Sequence, residues 1–178
     1  MIERPGRQNG SHFGIFLARP QSRGFIRAIN KNPRQKPLNN PNILSNRRDV
    51  LSIIKAVRVL QKMIKTTAMR RVNAELDLLA PAPNECRSVV ADSDEQWECI
   101  IRYQAGAAAH PVGTCKMGNP DDPTTVVDPY LRVKGIKGLR VADASVMPET
   151  TASNTMAPTI MIGERVADFI KTQRRKNK

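Results

Sequence analysis

The sequence predicts an α+β fold built from amphipathic helices and short strands. Three observations indicate this class. The chain has 178 residues, of which 40% are hydrophobic and 4% aromatic, so it can bury a sizeable and mostly aliphatic core. Apolar residues recur at helical spacing after Asp49 and again after Ser93. Residues 120–142 contain short apolar runs separated by turn signals, which is typical of strands.

The N-terminal region predicts a loose segment followed by one strand. Residues 1–21 are rich in glycine, arginine and polar side chains and show little periodicity. Residues 22–29, SRGFIRAI, alternate along the chain and predict a strand. Residues 30–41 contain three prolines and four asparagines, so they cannot be helical and we expect a loop there.

The longest predicted helix has Asp49 as its N-cap and runs to about residue 66, resuming toward residue 79. Its apolar positions are Val50, Ile53, Ile54, Val57, Leu60 and Met63. Basic residues lie mostly on the opposite side of this helix. Such a helix can lie on a membrane surface, but an apolar stripe that faces the core is the commoner case.

A second helix is predicted over residues 94–104. Ser93 and Gln96 have the spacing of a capping box, and two acidic residues follow Ser93 in the first turn. This helix should bury Trp97, Ile100 and Ile101. Gly106 is expected to end it.

The C-terminal region predicts three short strands and a last helix. The strands are expected at residues 126–127, 131–133 and 139–142, with turns between them. Residues 150–155 form a polar loop. The last helix should span residues 157–170, with Pro158 in its first turn, where a missing N–H costs nothing. The remaining residues are a basic tail.

The net charge of +13 is concentrated in the first part of the chain. Residues 1–75 contain 16 of the 29 basic residues and three of the 16 acidic ones, whereas residues 76–178 are balanced. A basic surface can bind nucleic acid or an anionic membrane, but it is more often a solvated face. Since no nucleic-acid-binding motif accompanies the charge, we expect no nucleic-acid partner.

Other features bound the class of protein. No apolar run reaches the ~18 residues of a transmembrane helix, and residues 1–20 lack the apolar stretch of a signal peptide. The three cysteines, Cys86, Cys99 and Cys115, have neither CxxC nor histidine spacing. The sequence therefore predicts neither a disulfide scaffold nor a metal site.

His110 is the first candidate for chemistry. The chain has two histidines, and His12 lies in the loose N-terminal segment, where it is assigned no role. His110 lies in GAAAHPVGTCKMG, where small residues and glycines let other groups approach the ring closely. A lone histidine is more often structural, but imidazole is also the natural base at physiological pH.

Asp143 and Asn154 are the second set of candidates. Asp143 ends a predicted strand and is either a ligand group or a turn residue. Asn154 lies near the N-terminus of the last helix, where its amide either caps the helix or faces a ligand. A helix N-terminus favours an anion because it presents free N–H groups and the positive end of a dipole.

Several segments together resemble the C-terminal part of the glucose–methanol–choline (GMC) family of flavin oxidoreductases, in the branch of choline dehydrogenase and insect glucose dehydrogenase. They occur in the family's order, and the similarity extends from about residue 20 to about residue 171. The segments are HPVGTCKMG (110–118), VDP (127–129), LRV (131–133), GLRVADASVMP (138–148), SNT (153–155) and IMIGERVADFI (160–170), with SRGFIRAINKNPRQKPLNNPNIL (22–44) upstream.

The resemblance implies an FAD-dependent oxidation of the CH–OH group of a small-molecule alcohol. His110 matches the residue that takes the hydroxyl proton while a hydride passes to flavin N5. Asn154 matches the residue that hydrogen-bonds the substrate oxygen beside the cofactor. The other positions that match cofactor contacts are Asp143 and Ala144, near the pyrophosphate and ribityl part, and Thr155 and Met156, near the pyrimidine ring. The electron acceptor is not encoded in any motif.

The resemblance also predicts a domain organisation. Residues 22–138 correspond to the substrate-binding domain, an antiparallel sheet with packed helices. Residues 139–178 correspond to a strand, loop and helix that complete an FAD-binding domain. No Gly-x-Gly-x-x-Gly turn occurs in the chain, so the N-terminal FAD-binding half is expected to be missing and the chain is expected to be a fragment.

Three alternatives for function therefore stay open. The chain is either the catalytic C-terminal portion of a flavoenzyme, a truncated non-catalytic fragment of one, or a basic binding module. In isolation it is expected to bind FAD weakly or not at all. Its localisation is open, and it would be secreted if a longer protein carries a signal peptide.

Overall fold

The computed structural model describes residues 13–75 and 83–176. The elements in chain order are β1 (Phe25–Arg27), β2 (Leu38–Asn40), α1 (Arg47–Ile64), α2 (Thr67–Arg71), α3 (Asn84–Arg87), α4 (Asp94–Gln104), a short 3₁₀ helix (Ala144–Val146) and α5 (Met156–Lys176). The two strands are antiparallel, with Phe25 opposite Asn40 and Arg27 opposite Leu38. The predicted α+β class, helices together with an antiparallel sheet, is confirmed.

The strands are shorter and fewer than predicted within the described residues. The strand predicted at 22–29 is limited to three residues, and its partner lies inside the predicted loop at 30–41. Pro37 and Pro41 flank this partner strand, so the ladder cannot extend past them. The C-terminal strands are replaced by single-residue bridges, which pair Met117 with Val127, Val127 with Val133, and Arg132 with Arg140.

The first turn of α1 corrects the predicted cap. Asn46 is the N-cap, and its side-chain oxygen accepts a hydrogen bond from Arg48 N at 2.9 Å. Asp49 is 2% exposed and lies inside the helix. Its carboxylate accepts hydrogen bonds from Gln21 N and Ser22 N at 2.8 Å and from Ser22 Oγ at 2.5 Å. Asp49 therefore fastens the extended N-terminal segment to α1, and these hydrogen bonds hold the pKa of Asp49 below its usual range although burial opposes them.

The second predicted helix is confirmed at residues 94–104. Ser93 Oγ accepts a hydrogen bond from Gln96 N at 3.1 Å, as a capping residue should. The Gln96 side chain does not complete a reciprocal capping box but accepts from Asp92 N and donates to the Cys86 carbonyl. Gly106 is not the terminating residue, because the helix ends at Gln104 and Ala105 is already extended.

The other helix predictions need smaller corrections. The last helix is longer than predicted, Met156–Lys176, and Pro158 lies in its first turn as expected. After α1 the chain forms the short helix Thr67–Arg71. The continuation predicted toward residue 79 lies partly outside the described residues.

The described residues form two hydrophobic clusters. The first lies between α1, α3 and α4 and contains Leu44, Val50, Ile54, Val57, Cys86, Trp97, Ile100 and Ile101. It includes the three apolar residues of α4 that were predicted to be buried. The second lies under α5 and contains Val127, Leu131, Val146, Met147 and Ile162. The second cluster contains residues from both sides of position 138. The domain boundary predicted at that position stays a prediction.

A disulfide joins α3 to α4, contrary to the sequence prediction. Cys86 and Cys99 are bonded across 13 positions of sequence, whereas Cys115 is free. Cys86 is fully buried in the first cluster. No local motif predicts the pairing of Cys86 with Cys99, because it depends on the turn at residues 88–93 that brings α3 back against α4.

Acidification is expected to weaken the contact between α1 and the turn before α4. Asp92 accepts hydrogen bonds from Trp97 Nε1 at 2.8 Å, Gln61 Nε2 at 2.6 Å and Arg58 Nη1 at 2.6 Å. The Trp97 and Gln61 bonds, with the Arg58 contact, lower the pKa of Asp92 to about 2. Its stabilisation is therefore fully present above the ordinary aspartate pKa of about 3.9 and is lost as the pH falls through about 2.

This pH dependence is measured by comparing wild type with Asp92→Asn in urea unfolding between pH 7 and pH 2. The variant should be less stable at pH 7 by at most about 1 kcal/mol, because the Asp92 side chain is 54% exposed. The two curves should converge toward pH 2. A stability difference that stays constant across this range would contradict the assignment.

Candidate active site

His110 lies in the loop that follows α4. Its ring is half-buried, and its Nδ1 atom lies 3.1 Å from the Thr155 hydroxyl oxygen. Ala109, immediately before it, has a positive φ of 56°. This conformation costs an L-residue about 1–2 kcal/mol because of its Cβ atom, and it is least tolerated by β-branched or bulky side chains. The loop therefore places the imidazole against the start of α5, 45 positions further along the chain.

The loop around His110 is fixed by backbone hydrogen bonds to the segment that contains Asp143. Cys115 N donates to the Ser145 carbonyl at 3.0 Å, and Met117 N donates to the Val146 carbonyl at 2.9 Å. Gly113 has a φ of 84°, and a Cβ there would lie 3.4 Å from the Met147 carbonyl. Glycine at this position permits both the turn and the close approach. The two predicted groups of site residues thus share one framework.

Thr155 begins α5. Its carbonyl accepts the first helical hydrogen bond, from Thr159 N at 3.0 Å, and a second one from Thr159 Oγ1 at 2.6 Å. Thr155 is 9% exposed, whereas Met156 is 72% exposed. The first N–H groups of a helix have no partner within it, so the N–H groups of Met156 and Ala157 are donors that a ligand can use.

Asn154 is exposed and lies one position before the N-cap. Its side chain makes no hydrogen bond within the part of the chain that the structure describes. The capping alternative therefore finds no support, because Thr155 occupies the N-cap. The Asn154 amide remains available as a donor and acceptor beside the helix N-terminus.

Asp143 caps the 3₁₀ helix. Its Oδ1 atom accepts a hydrogen bond from Ser145 N at 2.7 Å, and hydrogen bonds from Ser145 lower the pKa of the Asp143 carboxyl. Asp143 is nevertheless exposed, and Ala144 after it is half-buried. The geometry accounts for Asp143 as a turn residue.

The contact between His110 and Thr155 was not found by sequence reasoning. The family resemblance implies only a cofactor contact for Thr155. No local sequence pattern connects two residues that are 45 positions apart. A groove of about 1230 Å³ lies elsewhere and contains none of the predicted site residues. It is lined on its basic side by Arg132, Lys134, Lys137, Arg140 and Arg174.

Metal binding and membrane insertion also bear on function. Among residues 13–75 and 83–176, no cluster of three or more His, Cys, Asp or Glu side chains has the arrangement of a metal site. Within the same residues, no helix is both long and apolar enough to cross a membrane.

Comparison with known proteins defines the class. The family model of the GMC oxidoreductases matches residues 20–163. The chain therefore belongs to the GMC oxidoreductase family, and the resemblance read from its motifs is confirmed.

Particular relatives cover most of the chain but little of their own length. Glucose dehydrogenase (FAD, quinone) from Drosophila pseudoobscura pseudoobscura is 38% identical over 165 residues, covering 92% of this chain and 26% of the relative. Choline dehydrogenase, mitochondrial, from Homo sapiens is 36% identical, covering 95% and 27%. Alcohol dehydrogenase (acceptor) from Pseudomonas putida is 40% identical, covering 85% and 26%. The chain thus spans about a quarter of the length of these relatives.

Solved structures give the same result for the fold. A fungal aryl-alcohol oxidase superposes with a TM-score of 0.74 at 33% identity, covering 89% of this chain and 25% of the oxidase. A formate oxidase superposes with a TM-score of 0.74 at 29% identity, covering 90% and 26%.

Proposed function

We propose that this chain is the catalytic C-terminal portion of an FAD-dependent oxidoreductase that acts on the CH–OH group of a small alcohol. The observation that carries the proposal is the half-buried His110 held against the N-terminus of α5, beside the exposed Asn154. A base, a hydrogen-bonding amide and free helix N–H donors are thereby gathered at one place. Membership of the GMC family gives these groups a chemical context.

The residues at the start of α5 fit the electron-rich edge of a flavin. The donors there are the backbone N–H groups of Met156 and Ala157, the Asn154 amide, and the positive end of the helix dipole. Donors of this kind stabilise negative charge. When bound, FAD supplies the acceptor for the hydride of the alcohol carbon. Asp143 and Ala144 would hold the ribityl and pyrophosphate part of the cofactor.

His110 is the proton acceptor in this proposal. Removing the hydroxyl proton raises the electron density on the substrate oxygen and so favours loss of hydride from the adjacent carbon. Asn154 hydrogen-bonds the same oxygen and orients it. Both roles require accessible side chains, and His110 is half-buried while Asn154 is exposed.

The rest of the cofactor site is proposed to come from an FAD-binding part outside these 178 residues. Three apolar side chains on the first turns of α5 are exposed: Met156 by 72%, Ile160 by 60% and Met161 by 57%. Exposed apolar side chains grouped on neighbouring turns of one helix are typical of an interface. We therefore expect little FAD binding by the isolated chain, which is measured by titrating it with FAD and following flavin fluorescence.

Replacing Asn154 with alanine is expected to slow flavin reduction by an alcohol roughly 10- to 100-fold, the effect of one lost hydrogen bond to a charged oxygen. Anaerobic stopped-flow absorbance of the native flavoprotein measures this rate. Thermal stability should stay within about 0.5 kcal/mol of wild type, because Asn154 is not the N-cap. Ser153→Ala, the neighbouring exposed position, is the matched control. A variant with an unchanged rate but a stability loss of about 1 kcal/mol would instead assign Asn154 to capping.

A further inference from the structure

The hydroxyl of Thr155 contacts the His110 ring and does not cap its own helix. An N-cap threonine accepts a hydrogen bond from the N–H group of the second or the third helical residue. In α5 the third residue is Pro158, which has no N–H, and within the described residues no hydrogen bond joins the Ala157 N–H group to Thr155 Oγ1. The helix is started by the Thr155 carbonyl, which accepts from Thr159 N. The side-chain oxygen therefore remains available for the imidazole.

The contact has an ordinary hydrogen-bond length and is sheltered from solvent. Thr155 Oγ1 lies 3.1 Å from His110 Nδ1, Thr155 is 9% exposed, and the imidazole is half-buried. Water therefore competes poorly for this side of the ring. A neutral imidazole has one protonated and one unprotonated nitrogen. The Thr155 hydroxyl can accept from an Nδ1–H group or donate to an unprotonated Nδ1, and only the first arrangement leaves Nε2 unprotonated and able to take up a proton.

We propose that Thr155 is a positioning residue that keeps the proton of neutral His110 on Nδ1. The Nδ1–H group donates to Thr155 Oγ1, which leaves the lone pair of Nε2 directed away from α5. In the proposed alcohol oxidation, on which this last step rests, the substrate O–H bond breaks and its proton forms a bond to Nε2. The ring then carries a positive charge while its Nδ1–H bond to Thr155 is retained.

The tautomer of His110 can be measured without any catalytic assay. The chain contains two histidines, so ¹⁵N-histidine labelling of the full 178-residue chain gives two sets of ring signals, and a His12→Gln variant identifies those of His110. Spectra are recorded at an alkaline pH, where imidazole is neutral. The proposal predicts a protonated Nδ1 and an unprotonated Nε2. A protonated Nε2 would overturn it, because Thr155 would then be the donor.

Variants of the same helix turn separate positioning from helix stability. Thr155→Val removes the hydroxyl and should give a mixture of tautomers, whereas Thr155→Ser should retain the Nδ1–H form. Thr159→Val is the matched control, since it removes a hydroxyl that bonds the Thr155 carbonyl and does not contact His110. An unchanged tautomer in Thr155→Val would overturn the proposal. If that variant does not fold, the wild-type and serine spectra decide.

In the native flavoprotein, Thr155→Val should slow flavin reduction about tenfold, the equivalent of one ordinary hydrogen bond, and Thr155→Ser should restore most of the rate. The two proposals fail in different ways. If no alcohol reduces the flavin, the proposed function is wrong and the tautomer measurement stands. If the tautomer does not depend on Thr155, the positioning role is wrong and the proposed function stands.

Discussion

Replacing His110 with alanine is expected to slow flavin reduction by an alcohol 10²- to 10⁴-fold, the usual range for a lost general base. The physical reason is that the hydroxyl proton then has no acceptor, so the substrate oxygen stays protonated and the hydride is harder to remove. The Asn154 amide cannot replace the imidazole, because an amide oxygen does not take up a proton at neutral pH.

The measurement is single-turnover flavin absorbance under anaerobic conditions, in the native protein that carries this chain. His12→Ala is the matched control, because the same substitution is made at a histidine that is assigned no role. The loss should appear in the rate of reduction at saturating alcohol. A rate near that of wild type would remove His110 from the mechanism.

The second large effect is expected at the disulfide between α3 and α4. Replacing both Cys86 and Cys99 with alanine should lower the free energy of unfolding by about 3 kcal/mol, because the bond closes a loop of 13 positions and so restricts the unfolded chain. Alanine is preferred to serine because Cys86 is fully buried and a hydroxyl there would lack a partner.

Urea unfolding with and without a reducing agent measures this contribution. Reduction should destabilise wild type by about as much as the double substitution does, and the double variant should not respond to it. Cys115→Ala, at the free cysteine, should leave the response to reduction intact. If Cys86, Cys99 and Cys115 are all alkylated when the protein is denatured without a reducing agent, the disulfide assignment is contradicted.

The parts of the fold that depend on neighbours in sequence could be predicted. Ser93, the apolar spacing after it and the acidic first turn define α4 within eleven residues, and the structure has the same bounds. Pro158 similarly marks the first turn of α5. Capping and helical periodicity act within one or two turns, so these signals are readable without tertiary structure.

The parts that depend on distant contacts could not be predicted. Asp49 reads as a cap because it precedes an apolar run, but its partners are Gln21 and Ser22, 28 and 27 positions away. Cys86 and Cys99 carry no pairing motif. The strand at Leu38–Asn40 lies between prolines and forms only because β1 presents a partner. In each case a tertiary contact outweighs the local pattern.

The candidate site likewise combines residues that a local motif predicts with a contact that no local motif predicts. His110 and Asn154 were selected by motif, and their roles remain predictions until the variants are measured. The contact between His110 and Thr155 crosses 45 positions of sequence and is visible only in three dimensions. Because this contact occupies Nδ1, the structure indicates Nε2 as the nitrogen that is available to react.

Oxidation of an alcohol by a flavoprotein that contains His110 is tested by isolating the native protein with an antibody to this chain and recording its visible spectrum before and after anaerobic addition of alcohols. We expect a bound flavin whose absorbance is bleached by at least one alcohol in a wild-type sample and hardly at all in His110→Ala. A native protein that contains this chain but no flavin, or whose flavin no CH–OH compound reduces, would contradict it.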